Sequence, residues 1–269
     1  DSYEKKDGSS FDWNDYIPGF NEMSSDEKLA VMSCQIDNKN IITEYPQYHK
    51  EIIAAYTDRD PRLNQTCITP YSFFLGWNAN AEKMMEHVFL GKVGGSPTNG
   101  YIGYGGDQKW YLYRKFVPEG NCKGQITDRA NVPINFPLIR YADVLLMLAE
   151  CHNELGDQTN AVKYINMVRA RPSTNMPGIN SGPQWLEARS KEEVHLRLMH
   201  ERAVEFAGEG LRYSDVRRWR VAEKLCAKEK RTIHGTLRHT AKFTKRDYLW
   251  PIPGTEVEMN DKLVQNPDW

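Results

Sequence analysis

Charge of one sign is what this sequence most lacks. Its 35 Lys and Arg stand against 36 Asp and Glu, a formal net charge of −1. Over the whole chain, that balance leaves no electrostatic footprint for nucleic acid or an anionic membrane. Long apolar runs are missing too, so no segment is suited to span a bilayer as a helix. Cysteine is sparse: Cys34, Cys67, Cys122, Cys151 and Cys226 are scattered, and their odd number rules out complete intramolecular pairing. No C-x-x-C spacing offers zinc or redox chemistry, and the five read as small buried thiols. His195, His200, His234 and His239 fall at i,i+5 spacings, and no H-E-x-x-H occurs, so no helical metal pair is formed. The glycine-rich "GKVGGSPTNGYIGYGG" has neither the G-K-[ST] of a P-loop nor the strand–helix frame of a dinucleotide site. Asp58 and Asp60 in "YTDRDPRL" lack the Gly and downstream Glu of an EF-hand loop. They are expected to cap backbone amides or pair with Arg59 or Arg62. No metal and no cofactor are expected.

What is present is a globular composition, 40% hydrophobic and 26% charged, with 14 Tyr and 7 Trp. Tyr and Trp are amphipathic and suit sites that hold partly polar ligands. Residues 1–136 are rich in turn signals and weak in helical periodicity, and read as loops and short strands over a helical base. A short helix is expected near Ser25–Ser33, capped by Ser24 or Ser25, with Leu29 and Met32 inward. "YHKEIIAAYTD" reads as a second helix and "DQKWYLYRKFV" as a strand. Residues 137–230 read as helical. Pro137 opens and Gly156 closes a helix whose stripe is Leu138, Ala142, Leu145, Ala149 and His152. Ala161, Ile165 and Val168 form the facing stripe of the next helix, the pattern of a tetratricopeptide helix–turn–helix. Ser190 and Glu193 form a capping box. The helix after it carries one stripe through Leu196, Met199, Ala203, Phe206 and Gly210 and another through Val194, Leu198, Glu201/Arg202, Glu205 and Glu209. A further helix is expected from Ser214 to about Ala227, with Val216, Trp219 and Leu225 inward. Residues 231–269 read as a short hairpin and an extended tail. One tetratricopeptide unit cannot bury its own core, so two pairs imply additional helices.

Two constellations bear on chemistry. Glu201 and Glu205 lie one helical turn apart, and paired carboxylates are what a glycosidase needs, one as acid and one as base or nucleophile. The arginines nearby in sequence favour a structural ion network instead, drawn from Glu201, Arg202, Glu205, Glu209, Arg212, Asp215 and Arg218. The second constellation is aromatic. Trp13, Asn14 and Tyr16 in "FDWNDY", Trp77-Asn78, Tyr101, Tyr104 and Trp110 set rings beside amides and acids. That mix can stack on a sugar face and bond its hydroxyls; the alternative is that the rings fill a thin core beneath the loops.

Five ordered blocks resemble the SusD/RagB family: "YTDRDPRL", "WYLYRKFV", "FPLIRYADVLLMLAECHNELGD", "ERAVEFAGEGLRYSDVRRW" and "YLWPIPGTEVEMNDKLVQNPDW". Together they cover roughly residues 56–269, at about half the family's usual length, as a C-terminal half would. The resemblance implies a mainly α fold, with tetratricopeptide-like helix pairs under an irregular loop and short-strand cap. All three segments, 1–136, 137–230 and 231–269, would then belong to one SusD-like C-terminal domain. It also implies a non-catalytic role: binding oligosaccharide or polysaccharide at the bacterial outer-membrane surface, lipid-anchored in the full-length protein. The glycan would pass to a SusC-like TonB-dependent transporter. The partners implied are a glycan, that transporter and the N-terminal half, with no nucleic acid. Two rival readings stand beside it: a tetratricopeptide-like scaffold that binds only protein, and a glycoside hydrolase using Glu201 and Glu205.

Overall fold

Helix-forming signals are densest after residue 140, and the fold is built on what they make. The computed structural model describes residues 2–37, 41–75, 84–88, 101–103, 111–120, 132, 134–135, 137–232 and 235–269. These fall into two compact units, Asp1–Gly208 and Glu209–Trp269. The fold is mainly α, with short strands, as the resemblance implied.

In the first unit, α1 (Ser25–Met32), α2 (His49–Thr57) and α3 (Arg62–Thr66) precede the long helices α4 (Tyr141–Glu154), α5 (Gln158–Arg169) and α6 (Lys191–Glu205). The strands are short: β1 (Gln35–Ile36), β2 (Ile42–Glu44), β3 (Cys67–Ile68), β4 (Phe73–Leu75), β5 (Met84–Val88), β6 (Tyr101–Gly103) and β7 (Leu112–Tyr113). β1 pairs with β2 and β3 with β7, both antiparallel; β4 and β5 are antiparallel, and β6 joins β5 in parallel.

The caps written in the sequence form as expected. Ser190 accepts from the Glu193 amide at 3.2 Å, and the Glu193 carboxylate accepts from the Ser190 amide at 2.9 Å. Ser24 and Glu27 repeat the arrangement on α1. Gly156, at φ +83°, ends α4. Its amide bonds Asn153 O, and the Asp157 amide bonds His152 O, the pair of reversed bonds that a left-handed residue permits. The three-residue turn brings α5 back against α4, and α6 packs on both. Ala142, Leu145, Leu146 and Ala149 of α4, Ala161, Ile165 and Val168 of α5, and Val194 and Leu198 of α6 are all buried. Gly8, at φ +82°, turns the N-terminal segment over Leu186; a β-carbon there would meet Leu186 Cδ1 at 2.6 Å.

Several expectations are corrected. α4 begins at Tyr141 and not at Pro137, and Leu138 is 88% exposed outside the helix. Arg140, extended at the N-cap, is drawn to Glu205 and fixes the start there. On α6 both stripes reach inward, the charged one included: Met199 and Phe206 are buried along with Glu201, Arg202 and Glu205, and Leu196 at the start of the apolar stripe is 65% exposed. The charged stripe turns inward because its glutamates have arginine partners there. Cys151 is exposed and not a buried thiol. It lies on an outward stripe of α4 with Tyr141, Val144, Leu148 and Leu155. Only Leu112–Tyr113 of the expected "DQKWYLYRKFV" strand is a described strand.

In the second unit, the helix expected to run from Ser214 to about Ala227 is broken. α7 (Leu211–Arg218) and α8 (Ala222–Leu225) are separated at Arg220, whose φ of +57° a helix cannot continue through. The hairpin is present as antiparallel β8 (Glu229–Arg231) and β9 (Leu237–Thr240). The tail is not simply extended: Pro253 opens a short α9 (Gly254–Met259).

Candidate functional site

The carboxylates of α6 lie in a buried ion network whose partners come from far along the chain. Glu201, fully buried, receives Arg62 Nη1 on Oε1 at 2.6 Å and Arg169 Nη1 on Oε2 at 3.0 Å. Glu205 receives Arg62 at 3.1 Å and Arg171 at 2.5 Å on Oε2, and Arg140 at 2.9 Å on Oε1. Arg62 is gripped from behind by Asp60, Nε to Oδ1 at 3.0 Å and Nη2 to Oδ2 at 2.6 Å. Arg169 reaches on to Glu4 at 2.9 Å. Acids and arginines thus alternate, and each charge of this network meets opposite charge, the condition under which burial is tolerated. Arg202 pairs with Asp143 at 2.7 Å. Its guanidinium and that of Arg140 lie 5.0 and 5.1 Å from the Phe206 ring centre. Lys115 Nζ donates to Glu205 O and Ala207 O at 3.1 and 3.2 Å, answering the open carbonyls at the end of α6.

This arrangement decides what the two glutamates can do. Burial alone would push Glu201 up, but Arg62 and Arg169 outweigh it and hold it below the usual glutamate range. Glu205 is likewise lowered: burial opposes, and Arg140, Arg171 and Arg62 prevail. A glycosidase acid needs the opposite shift, and its oxygens must be open to substrate. Glu201 and Glu205 are built as cross-links. The partners expected from nearby sequence are not those that bind them. Glu209, Arg212, Asp215 and Arg218 fall in the second unit, where Arg218 Nε bonds Asp215 at 2.9 Å.

The aromatic candidates separate by what is described. Trp13 is half-buried in a 3₁₀ turn, with ring centres of Phe20, Phe11 and Tyr56 at 4.8, 5.3 and 5.5 Å. Tyr16 stacks on Phe11 at 5.8 Å. Over Phe11 lies the buried Arg59 guanidinium, 3.7 Å from the ring centre. Asn14 is engaged internally: its Oδ1 accepts from the Asn21 amide at 2.9 Å and its Nδ2 donates to Glu22 at 3.3 Å. This segment is therefore a packed corner. Trp77, Asn78, Tyr104 and Trp110 lie outside the described residues. Tyr101 opens β6, where its backbone is in register with Glu86, and its side chain lies outside them too.

Sequence reasoning missed a polar cleft of about 490 Å³ in the first unit, lined among others by Tyr3, Ser10, Phe11, Glu187, Arg197 and His200. At its floor, Glu4 Oε1 lies 3.6 Å from both Arg197 and His200. Burial pushes His200 down, so it is neutral at neutral pH. Nothing in the spacing of these residues links the N-terminal segment to α6. The only trace is that Glu193, Leu196, Arg197 and His200 share one helical face.

The SusD family model matches residues 1–269, the whole chain. The chain belongs to the SusD family. Two curated SusD-like proteins of Formosa agariphila are similar: P38 is 32% identical over 134 residues, covering 49% of this chain and 24% of that protein. P2 is 31% identical over 136 residues, covering 49% and 25%. A SusD-like protein of Bacteroides fragilis matches all of this chain and 45% of its own, at a TM-score of 0.65 and 22% identity. A SusD-like carbohydrate-binding protein of the same species matches 97% and 46%, at 0.61 and 24%. Each match thus takes in less than half of the longer protein, and at these identities the structures speak to fold. In this SusD-family chain, four of the five blocks that carried the resemblance have a visible task. Asp60 and Arg62, Lys115, Arg140 and Asp143, and Glu201 to Phe206 meet in one network.

Proposed function

We propose that this chain serves as a non-catalytic carbohydrate-binding protein of the outer-membrane surface, handing oligosaccharide or polysaccharide to a SusC-like TonB-dependent transporter. The observation that carries the reading is family membership along the whole chain, together with a fold neighbour named as carbohydrate binding. The arginine-saturated glutamates support the absence of catalysis, because the only helical carboxylate pair singled out from the sequence is committed to cross-linking. Ligand contacts fall to Trp77, Asn78, Tyr101, Tyr104 and Trp110, while Trp13, Asn14 and Tyr16 are engaged in the packed corner around Phe11. Attachment to the membrane is by a lipid anchor on the full-length protein.

A second reading, a protein-binding scaffold, is favoured by the apolar stripe Tyr141, Val144, Leu148, Cys151 and Leu155 on the outer face of α4. This face fits the N-terminal half of a longer protein or a partner helix. Calorimetry against a glycan panel, on this chain and on a full-length protein, separates the two. Binding that is lost with Trp110→Ala supports the carbohydrate reading in these loops. Binding by the full-length protein alone assigns the site elsewhere and makes this part the scaffold. Binding by neither overturns the carbohydrate class.

A further inference from the structure

The near-neutral charge of the chain hides a concentration in its second unit. Between Gly210 and Arg246, twelve Lys and Arg stand against three Asp and Glu, a net +9 in a protein of net −1. The unit has a small core in which Val216, Ala222 and Tyr248 are buried against Val221, Leu225 and Phe243. The β8–β9 hairpin springs from this core, its base closed by the Ala241 amide on Lys228 O at 3.0 Å.

Every residue of both strands is exposed. Lys230 sits opposite His239, and Lys228 stands at the bend that leads into β8. Lys228, Lys230, Lys242 and Lys245 are exposed and have no ion-pair partner among the described residues. Glu229, the one acid of the two hairpin strands, is already held by Arg231 at 2.6 Å. Unanswered like charges repel and weaken the fold, and they leave a face that draws anions.

We infer that the β8–β9 hairpin is a binding surface for a polyanionic polysaccharide bearing sulfate or carboxylate groups. The inference rests on the carbohydrate-binding reading and names its substrate class. The lysines are strung along exposed positions of the hairpin and its base and are not gathered in a pocket. A string of point charges without a fixed fork suits repeated anions along a linear chain better than one positioned anion. Exposed rings complete the chemistry on this unit: Tyr213 and Trp250 flank Arg217, whose guanidinium is 5.1 and 6.0 Å from their centres. A membrane surface is the weaker fit. Among its described residues the hairpin strands expose one large apolar side chain, Leu237, where interfacial elements present an apolar face.

The test is calorimetry or affinity electrophoresis of the full chain against dextran sulfate, neutral dextran and vesicles of anionic phospholipid, at low salt and at about 200 mM salt. Dextran sulfate is expected to bind at least about tenfold more tightly than dextran at low salt, with the gain shrinking as salt rises. The Lys228→Gln, Lys230→Gln, Lys242→Gln triple variant is expected to lose that gain, and the matching Lys→Arg triple variant to keep it. The inference is overturned if sulfate gives no gain, if the Gln variant retains it, or if vesicles bind as tightly through the same lysines. Neutral glycans report on the carbohydrate reading by itself: their binding without a sulfate gain overturns only this inference, and binding of nothing overturns both.

Discussion

The two units use the same charged residues in opposite ways. In the first, glutamates and arginines are buried and alternate, so that Glu201 lies between Arg62 and Arg169 while Glu205 collects Arg62, Arg140 and Arg171. In the second, lysines and arginines crowd one stretch, mostly exposed, with few acids to answer them. Burial demands pairing, because a lone charge away from water costs several kcal/mol; exposure does not, because water and salt do the screening. Composition alone, summing to nearly zero, describes neither.

The comparison is broken most severely by removing a buried partner. Glu201→Ala leaves Arg62 and Arg169 facing each other in the core and is expected to lower stability by about 3–5 kcal/mol in urea denaturation. A loss below about 1 kcal/mol would show that the network is not what holds α6.

Acid attacks the same pair without mutation. Glu201 and Glu205 titrate below their ordinary 4.5 in the folded chain, so the unfolded chain binds those protons more readily. Their contribution is complete above about pH 5 and is lost as pH falls through 4.5 and on through the lower folded values. Melting temperature should fall along that limb, and Glu201→Gln should flatten it. An unchanged limb in that variant would assign acid lability to other groups.

Smaller is the effect of Trp13→Ala, about 2–3 kcal/mol for a half-buried indole among three rings. It should appear as a lower thermal midpoint, with glycan affinity per folded molecule unaltered. Affinity lost with no change in midpoint would return Trp13 to the ligand-contacting set.

Smallest of all, Lys228→Gln with Lys230→Gln should change stability by no more than about 0.5 kcal/mol, with the sign toward gain as repulsion is relieved. A large loss would reveal that the hairpin lysines are structural after all.

Local features of the fold were legible in the sequence. The Ser190–Glu193 capping box, an N-cap at Ser24 or Ser25 and the α4–α5 turn depend on residues within a few positions of each other, and spacing reveals them. That the charged stripe of α6 is buried beside the apolar one was not legible, because glutamates at helical spacing ordinarily mark a solvent face. The arginines that pair with those glutamates lie at positions 62, 140, 169 and 171. The break at Arg220 escaped notice for a related reason: nothing in an arginine announces a left-handed backbone. Of the ligand-facing candidates, Trp13, Asn14 and Tyr16 could be weighed in their surroundings, whereas Trp77, Asn78, Tyr104 and Trp110 lie outside the described residues.

The arginine cross-links also carry a kinetic meaning. Arg62 and Glu201 are separated by 139 residues and Glu4 and Arg169 by 165, so each bond closes a very long loop. Chain entropy opposes such closures until the segments between them have condensed. The network is therefore expected to form late in folding, after the transition state. Interactions of that kind hold the door shut without helping it close: weakening them should hasten unfolding and leave the refolding rate nearly untouched.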